Sequence, residues 1–191
     1  IDRQFLARIQ ERYRLRADAR RAIMKSAGDA QTAAKRAIFA LHRDDLADAR
    51  LLIESANALL DAAKREAGND RELAAEGSLR AALEEFAEAA LYWAFIEKGK
   101  VGKIARADID DAAYLGGLAD LAGELQRRQV RAATEGDAAA VGKLKDGIEE
   151  IVQALLAVDL TGYLRTKFDQ AKNALRRAEE VLYEISLRKR P

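Results

Sequence analysis

Apolar residues recur three and four positions apart along almost the whole chain, the spacing that gathers side chains on one side of an α-helix. Breaks that contain glycine cut this pattern into segments of helical length, and about seven helices are predicted. They cover residues 2–42, 44–67, 72–98, a short turn of helix within 104–109, then 110–134, 137–157 and 159–188. Gly28 is a soft point inside the first. Gly68-Asn69 ends the second, the Gly99 and Gly102 pair ends the third, and Glu135-Gly136-Asp137 offers a stop followed by a cap. Short connections between long amphipathic helices favour antiparallel neighbours packed as a bundle. The expected fold is therefore all-α, a single domain over residues 1–191. Several helices exceed the ~10–14 residues usual in globular proteins and present more apolar side than one copy covers, which points to an oligomer.

Composition agrees with this picture. Ala, Leu and Arg dominate and the one proline is residue 191. The 33 basic and 32 acidic residues nearly cancel, so global charge selects neither nucleic acid nor membrane as a partner. Their distribution is uneven: residues 1–36 hold ten basic and four acidic side chains, a net of +6, which leaves −5 for the rest. Without cysteine there is no disulfide, thiol nucleophile or thiolate metal site, which fits a reducing compartment, and the expected location is the cytoplasm. No apolar stretch approaches the ~20 residues of a membrane span, and neither a span nor an export signal is expected.

Acid pairs at helical spacing are common in so charged a chain, Asp44 with Asp48 among them, so spacing alone carries little. Acids inside otherwise apolar segments carry more. After Glu85 the stretch 86–96 is apolar or aromatic except for Glu88, which therefore has no wet stripe to occupy and should be at least partly buried, with Glu85 one turn before it. In residues 112–125, Asp120 interrupts an apolar helix and Glu124 follows four residues later on the same face. Gly116, Gly117 and Gly123 in that helix each cost ~1 kcal/mol relative to Ala, and close approach of a neighbouring helix is the expected compensation. Like charges buried together need a cation or a proton. Two helices that each turn two acids inward can assemble a hard oxygen site for Mg²⁺ or Mn²⁺; alternatively the four acids meet Arg127, Arg128 or other bases in structural ion pairs.

A carboxylate-held divalent metal suits phosphodiester hydrolysis, since it polarises phosphoryl oxygens, activates water and stabilises the leaving oxygen without a histidine. Arg8, Arg12, Arg16 and Arg20 stand in four-residue register along the first helix, a stripe that tracks phosphates without reading sequence, or else an ordinary solvated face. Arg127, near the end of the second acidic helix, is a further candidate RNA contact. The single histidine, His42, sits at a helix end and reads as a capping or packing residue, and Tyr92, Trp93 and Phe95 read as core rather than as a stacking platform for bases. No Gly-rich phosphate loop, nucleophile elbow or zinc motif is present.

Leu83-Glu84-Glu85-Phe86-Ala87-Glu88-Ala89 and Tyr114-Leu115-Gly116-Gly117-Leu118-Ala119-Asp120-Leu121-Ala122-Gly123-Glu124-Leu125 resemble the two signature helices of the translin family. The similarity is greater to its catalytic branch, the translin-associated factor X type, whose first-helix motif resembles Lys35-Arg36-Ala37-Ile38-Phe39-Ala40-Leu41-His42-Arg43. Residues 178–188 are similar to the closing helix of the family. The resemblance implies a seven-helix fold, a closed octamer-like barrel with RNA inside, and Mg²⁺-dependent endoribonuclease activity. It places the catalytic and metal-holding acids at Glu85, Glu88, Asp120 and Glu124. The loop between the signature helices is short here, a homo-oligomer is expected, and the rival expectation is a non-catalytic single-stranded RNA- or DNA-binding protein of the plain translin type.

Overall fold

The computed structural model describes residues 2–106 and 108–188. Seven helices account for most of them: α1 (Arg3–His42), α2 (Leu46–Ala67), α3 (Arg71–Ala74), α4 (Gly77–Lys98), α5 (Asp111–Glu135), α6 (Ala138–Leu156) and α7 (Gly162–Arg188). There is no strand among the described residues. Short aspartates start several helices as expected, with Asp45, Asp110 and Asp137 each accepting a backbone N–H three residues ahead. Gly99 and Gly136, both left-handed, close α4 and α5.

Two expectations need correction. Residues 72–98 are not one helix: the chain turns at Ala75 and Glu76, separating α3 from α4. Arg16 bonds Asp70 at 2.9 Å and Glu72 at 2.6 Å, Arg20 reaches Glu76 at 3.2 Å, and Leu73 is buried. These ties to α1 hold the segment off the axis of α4, and Gly77 favours a break at that point. The described residues of 104–109 form no helix; Ala107 lies outside them. That segment is organised instead by the buried Arg106 guanidinium, which bonds Asn57 Oδ1 at 2.7 Å, Asp61 at 2.9 Å and Asp108 at 2.7 Å. Backbone and carboxylate acceptors fixed to one buried cation replace the hydrogen-bond ladder that a helix would supply.

α4 and α5 form the centre. α1 and α2 pack on the α4 side, and α6 and α7 pack on the α5 side. The buried residues of α1 and α2 are largely alanine, Ala27, Ala30, Ala34, Ala37 and Ala40 of α1 and Ala49, Ala56 and Ala63 of α2, beside Ile23, Ile38, Leu41 and Leu60. Larger residues fill the other side, including Leu121, Leu125, Ile148, Leu155 and Phe168. Gln129, fully buried on α5, donates to Val141 O and Ala178 O and so ties α5 to both α6 and α7. Residues 3–22 of α1 contain no buried side chain, and Phe5, Leu6, Tyr13 and Leu15 stay largely exposed there.

Gly116 and Gly117 serve the close approach predicted for them. A Cβ on Gly117 would lie 2.7 Å from the Glu88 backbone nitrogen and 3.0 Å from Glu84 O, and one on Gly116 would collide with the Glu84 side chain. Gly123 does not share this role, for nothing stands within 4 Å of where its Cβ would be. Gly117→Ala should therefore lower stability by about 1–3 kcal/mol, whereas Gly123→Ala should raise it by up to about 1 kcal/mol. Urea denaturation of the two variants beside the parent checks both signs.

Candidate functional site

The close passage of α4 and α5 sets Glu84, Glu85 and Glu88 of one helix against Asp120 and Glu124 of the other. Glu84 and Glu88 are four residues apart, as are Asp120 and Glu124, so each helix offers an acidic stripe to the same seam. α1 contributes Gln31, Lys35 and His42 to this seam, and α7 contributes Tyr163 and Lys167.

Glu88 lies deepest. It is 7% exposed, and the charges that act on it are Asp120, Glu85 and Glu124, all repulsive, against one attractive Lys167. Burial first, and then these three acids, push its carboxyl up from 4.5 to about 9. At neutral pH it is a carboxylic acid. Burial also raises Glu85, although Lys35 at 3.7 Å and the Gln31 amide at 3.4 Å oppose the shift. Asp120 is raised too, by burial and by Glu84 and Glu124, against the hydrogen bond it accepts from Lys167.

The remaining acids have cationic or proton-bearing partners. Glu124 pairs with Nε2 of His42, whose Nδ1 stands 3.2 Å from the hydroxyl of the fully buried Tyr92. Lys167 pairs with both Asp120 and Glu84, 2.6 Å from Glu84 Oε1, and the Tyr163 hydroxyl donates to that same oxygen at 2.8 Å. Beside these groups opens a cavity of about 470 Å³ whose wall includes Glu84, Glu85, Asp120, Tyr163, Lys167 and Arg80. Glu88 and Glu124 stand outside that wall. Among the described residues, no group of three or more Asp, Glu or His side chains is arranged to hold a metal ion.

All four acids singled out in the sequence thus meet at one seam. Of the bases expected as their alternative partners, Arg127 and Arg128 do not join them, while the others that do are Lys35, His42 and Lys167. Arg128 pairs with Asp44 and donates to Leu41 O, and Arg127 lies over the Phe39 ring at 5.4 Å. Of the arginine stripe, Arg8 and Arg12 are exposed, while Arg16 and Arg20 are engaged with the α3 segment. The sequence pattern did not single out Glu84 or Lys167, and it suggested a capping or packing role for His42. A signal for Lys167 existed: it falls on the apolar stripe of α7 between Leu164 and Ala171, where a solvated lysine has no place.

Such an arrangement defines a class, an all-helical bundle with an acid-lined cleft between its two central helices. A model of the Translin family matches residues 18–189, and the chain belongs to that family. Solved structures with the same fold include apo-NeC3PO, 21% identical with a TM-score of 0.87 over 97% of this chain and 98% of that one. AfC3PO alone is 22% identical with a TM-score of 0.85, covering 96% of this chain and 98% of its own. AfC3PO in a complex with duplex RNA gives 21% and 0.84, covering 96% and 97%. No curated protein matches by sequence. Among the described residues, no helix is long and apolar enough to cross a membrane.

The protonated Glu88 has a measurable consequence. Unfolded, it releases its proton near pH 4.5; folded, it keeps the proton to about pH 9. The fold therefore has the full benefit below about pH 4.5 and loses stability as pH rises from there, by at most about 1.4 kcal/mol per unit. Glu88→Gln, which carries no such proton, should equal the parent near pH 4.5 and become increasingly more stable than it toward pH 9. Denaturation series at several pH values, in the presence of a chelator, report the difference.

Proposed function

We propose that this chain is a Mg²⁺-dependent endoribonuclease of the translin-associated factor X type, which works in the cytoplasm as a closed homo-oligomer with RNA held inside. The observation that carries this reading is the burial of Glu88 among three further acids. A fold that keeps a carboxyl uncharged at such expense has a use for it, and a divalent cation supplies the neutralisation that a proton otherwise provides. The donors fit the ion in kind: all are hard carboxylate oxygens, as Mg²⁺ prefers, and Mn²⁺ accepts the same set.

Glu85, Glu88, Asp120 and Glu124 would hold the cation, which when bound supplies charge stabilisation at the phosphate and an activated water. His42 fixes the rotamer of Glu124, and Tyr92 fixes the orientation of His42. Arg80 and the cavity wall leave room for a phosphate beside Asp120. RNA as the ligand is supported by AfC3PO, which shares this fold and is described in complex with duplex RNA. Assembly is supported by the first half of α1, whose Phe5, Leu6, Tyr13 and Leu15 are left exposed by the described residues of one chain. Arg8 and Arg12 of that segment, together with Arg127, are the proposed phosphate contacts, with Arg16 and Arg20 reaching RNA only from within their ion pairs.

A second reading is favoured by the pairing of Asp120 with Lys167, of Glu85 with Lys35 and of Glu124 with His42: a non-catalytic RNA- or DNA-binding protein in which these pairs are structural. Labelled single-stranded RNA incubated with the protein, with and without Mg²⁺ or Mn²⁺, separates the two. Cleavage that requires the metal, and that Glu88→Gln reduces to below about one hundredth while RNA binding persists, is expected. Binding without cleavage under every divalent metal would leave the second reading standing. Independently, Arg8→Ala with Arg12→Ala should weaken RNA binding across sequences and shallow the slope of affinity against salt by about one unit per lost phosphate contact. Titrations from 50 to 200 mM salt measure that slope.

A further inference from the structure

Lys167 is an anomaly of the site. Its side chain is only 11% exposed, it arrives from α7 rather than from either acidic helix, and it bonds acids of two different stretches, Glu84 on α4 and Asp120 on α5. Burial opposes its charge, but the bonds from Asp120, Glu84 and Tyr163 outweigh this and raise its pKa, so it is a permanent ammonium. It also lines the same cavity as Arg80 and Asp120. An ammonium in contact with Asp120 Oδ2 competes with a divalent cation for that carboxylate, and the two cannot share it without mutual repulsion.

We propose that Lys167 is an exchangeable counter-cation: it neutralises Asp120 and Glu84 while no divalent metal is bound, and it turns to a phosphate of RNA in the adjoining cavity once a metal takes Asp120. The inference rests on the metal-dependent reading of the site. Lys167 holds both Asp120 and Glu84, and among the described residues no group of three acids is arranged to hold a metal ion. Tyr163, bonded to Glu84 and with its ring 5.1 Å from the ammonium, is placed to keep Lys167 near the seam after it leaves Asp120, through Glu84 and through the ring face.

The test is calorimetric titration of the full-length chain with Mn²⁺ in the absence of RNA, followed by cleavage of labelled RNA at saturating Mn²⁺. Lys167→Met should bind Mn²⁺ at least about tenfold more tightly than the parent, because its competitor is gone. The same variant should cleave at least about tenfold more slowly at saturating metal, because the phosphate contact is gone too. A purely structural lysine would move both readings the same way. Lys35→Met, which removes a more exposed charge 3.7 Å from Glu85, should shift Mn²⁺ affinity less and is the control for the general field. Lys167→Gln keeps a hydrogen-bond donor for Asp120 without the charge and carries the test if the Met variant fails to fold, as judged by its melt and solution mass. Mn²⁺ affinity unchanged or weakened in the Lys167 variants, or shifted equally by Lys35→Met, overturns the exchange while leaving the metal site intact. A parent that binds no Mn²⁺ overturns both.

Discussion

The approach of α5 to α4 across Gly117 governs the rest of the molecule. A methyl group at that position would meet the backbone of Glu88 itself, so the distance between the two central helices is fixed by the absence of one side chain. That distance decides how close Glu84, Glu85 and Glu88 come to Asp120 and Glu124, and hence how strongly the acids repel one another. A wider spacing would let water between the helices and bring Glu88 back toward an ordinary carboxylate. The glycine that weakens the helix locally is thus what makes the site electrostatically unusual.

Around that seam two of the neighbouring helices, α1 and α7, supply the partners of the acids, and they do so differently. α1 supplies an exposed lysine to Glu85 and an imidazole to Glu124, while α7 supplies the buried ammonium shared by Asp120 and Glu84. Glu88 alone receives none of its own and keeps a proton. Glu88 sits between Ala87 and Ala89, both fully buried. Charge is therefore settled at the rim of the seam and unsettled at its floor. An incoming cation would gain most at the floor.

Much of this was legible along the chain. Helix limits followed from glycines and capping aspartates, because those signals are local. Glu88 and Asp120 stood out because an acid in an all-apolar stretch has no solvated face to use, whatever the fold. What escaped was set by contacts between distant residues. The break at Ala75 depends on Arg16 and Arg20, more than fifty positions earlier, and the irregular path near Arg106 depends on Asn57 and Asp61. Helical periodicity identifies the face a residue occupies but not which helix comes to meet it, so Arg127 and Arg128 could be named as partners of the acids, whereas the other bases, Lys167, Lys35 and His42, could not be singled out.

His42 illustrates the limit best. It is the last residue of α1 and the basic side chain of its final turn, and its backbone carbonyl accepts a bond from Arg131. Its ring, however, is turned inward and sandwiched between Glu124 and the buried Tyr92 hydroxyl. That orientation follows from two arginines of α5: Arg128 and Arg131 grip Leu41 O, His42 O and the Asp44 carboxylate, and Asp44 adopts a positive φ of 60° to meet them. The strain accepted at Asp44 and the charges held there turn the end of α1 toward the seam. A terminus that periodicity describes as finished is instead positioned by the opposite helix, and the imidazole reaches Glu124 because the backbone before and after it is held from α5.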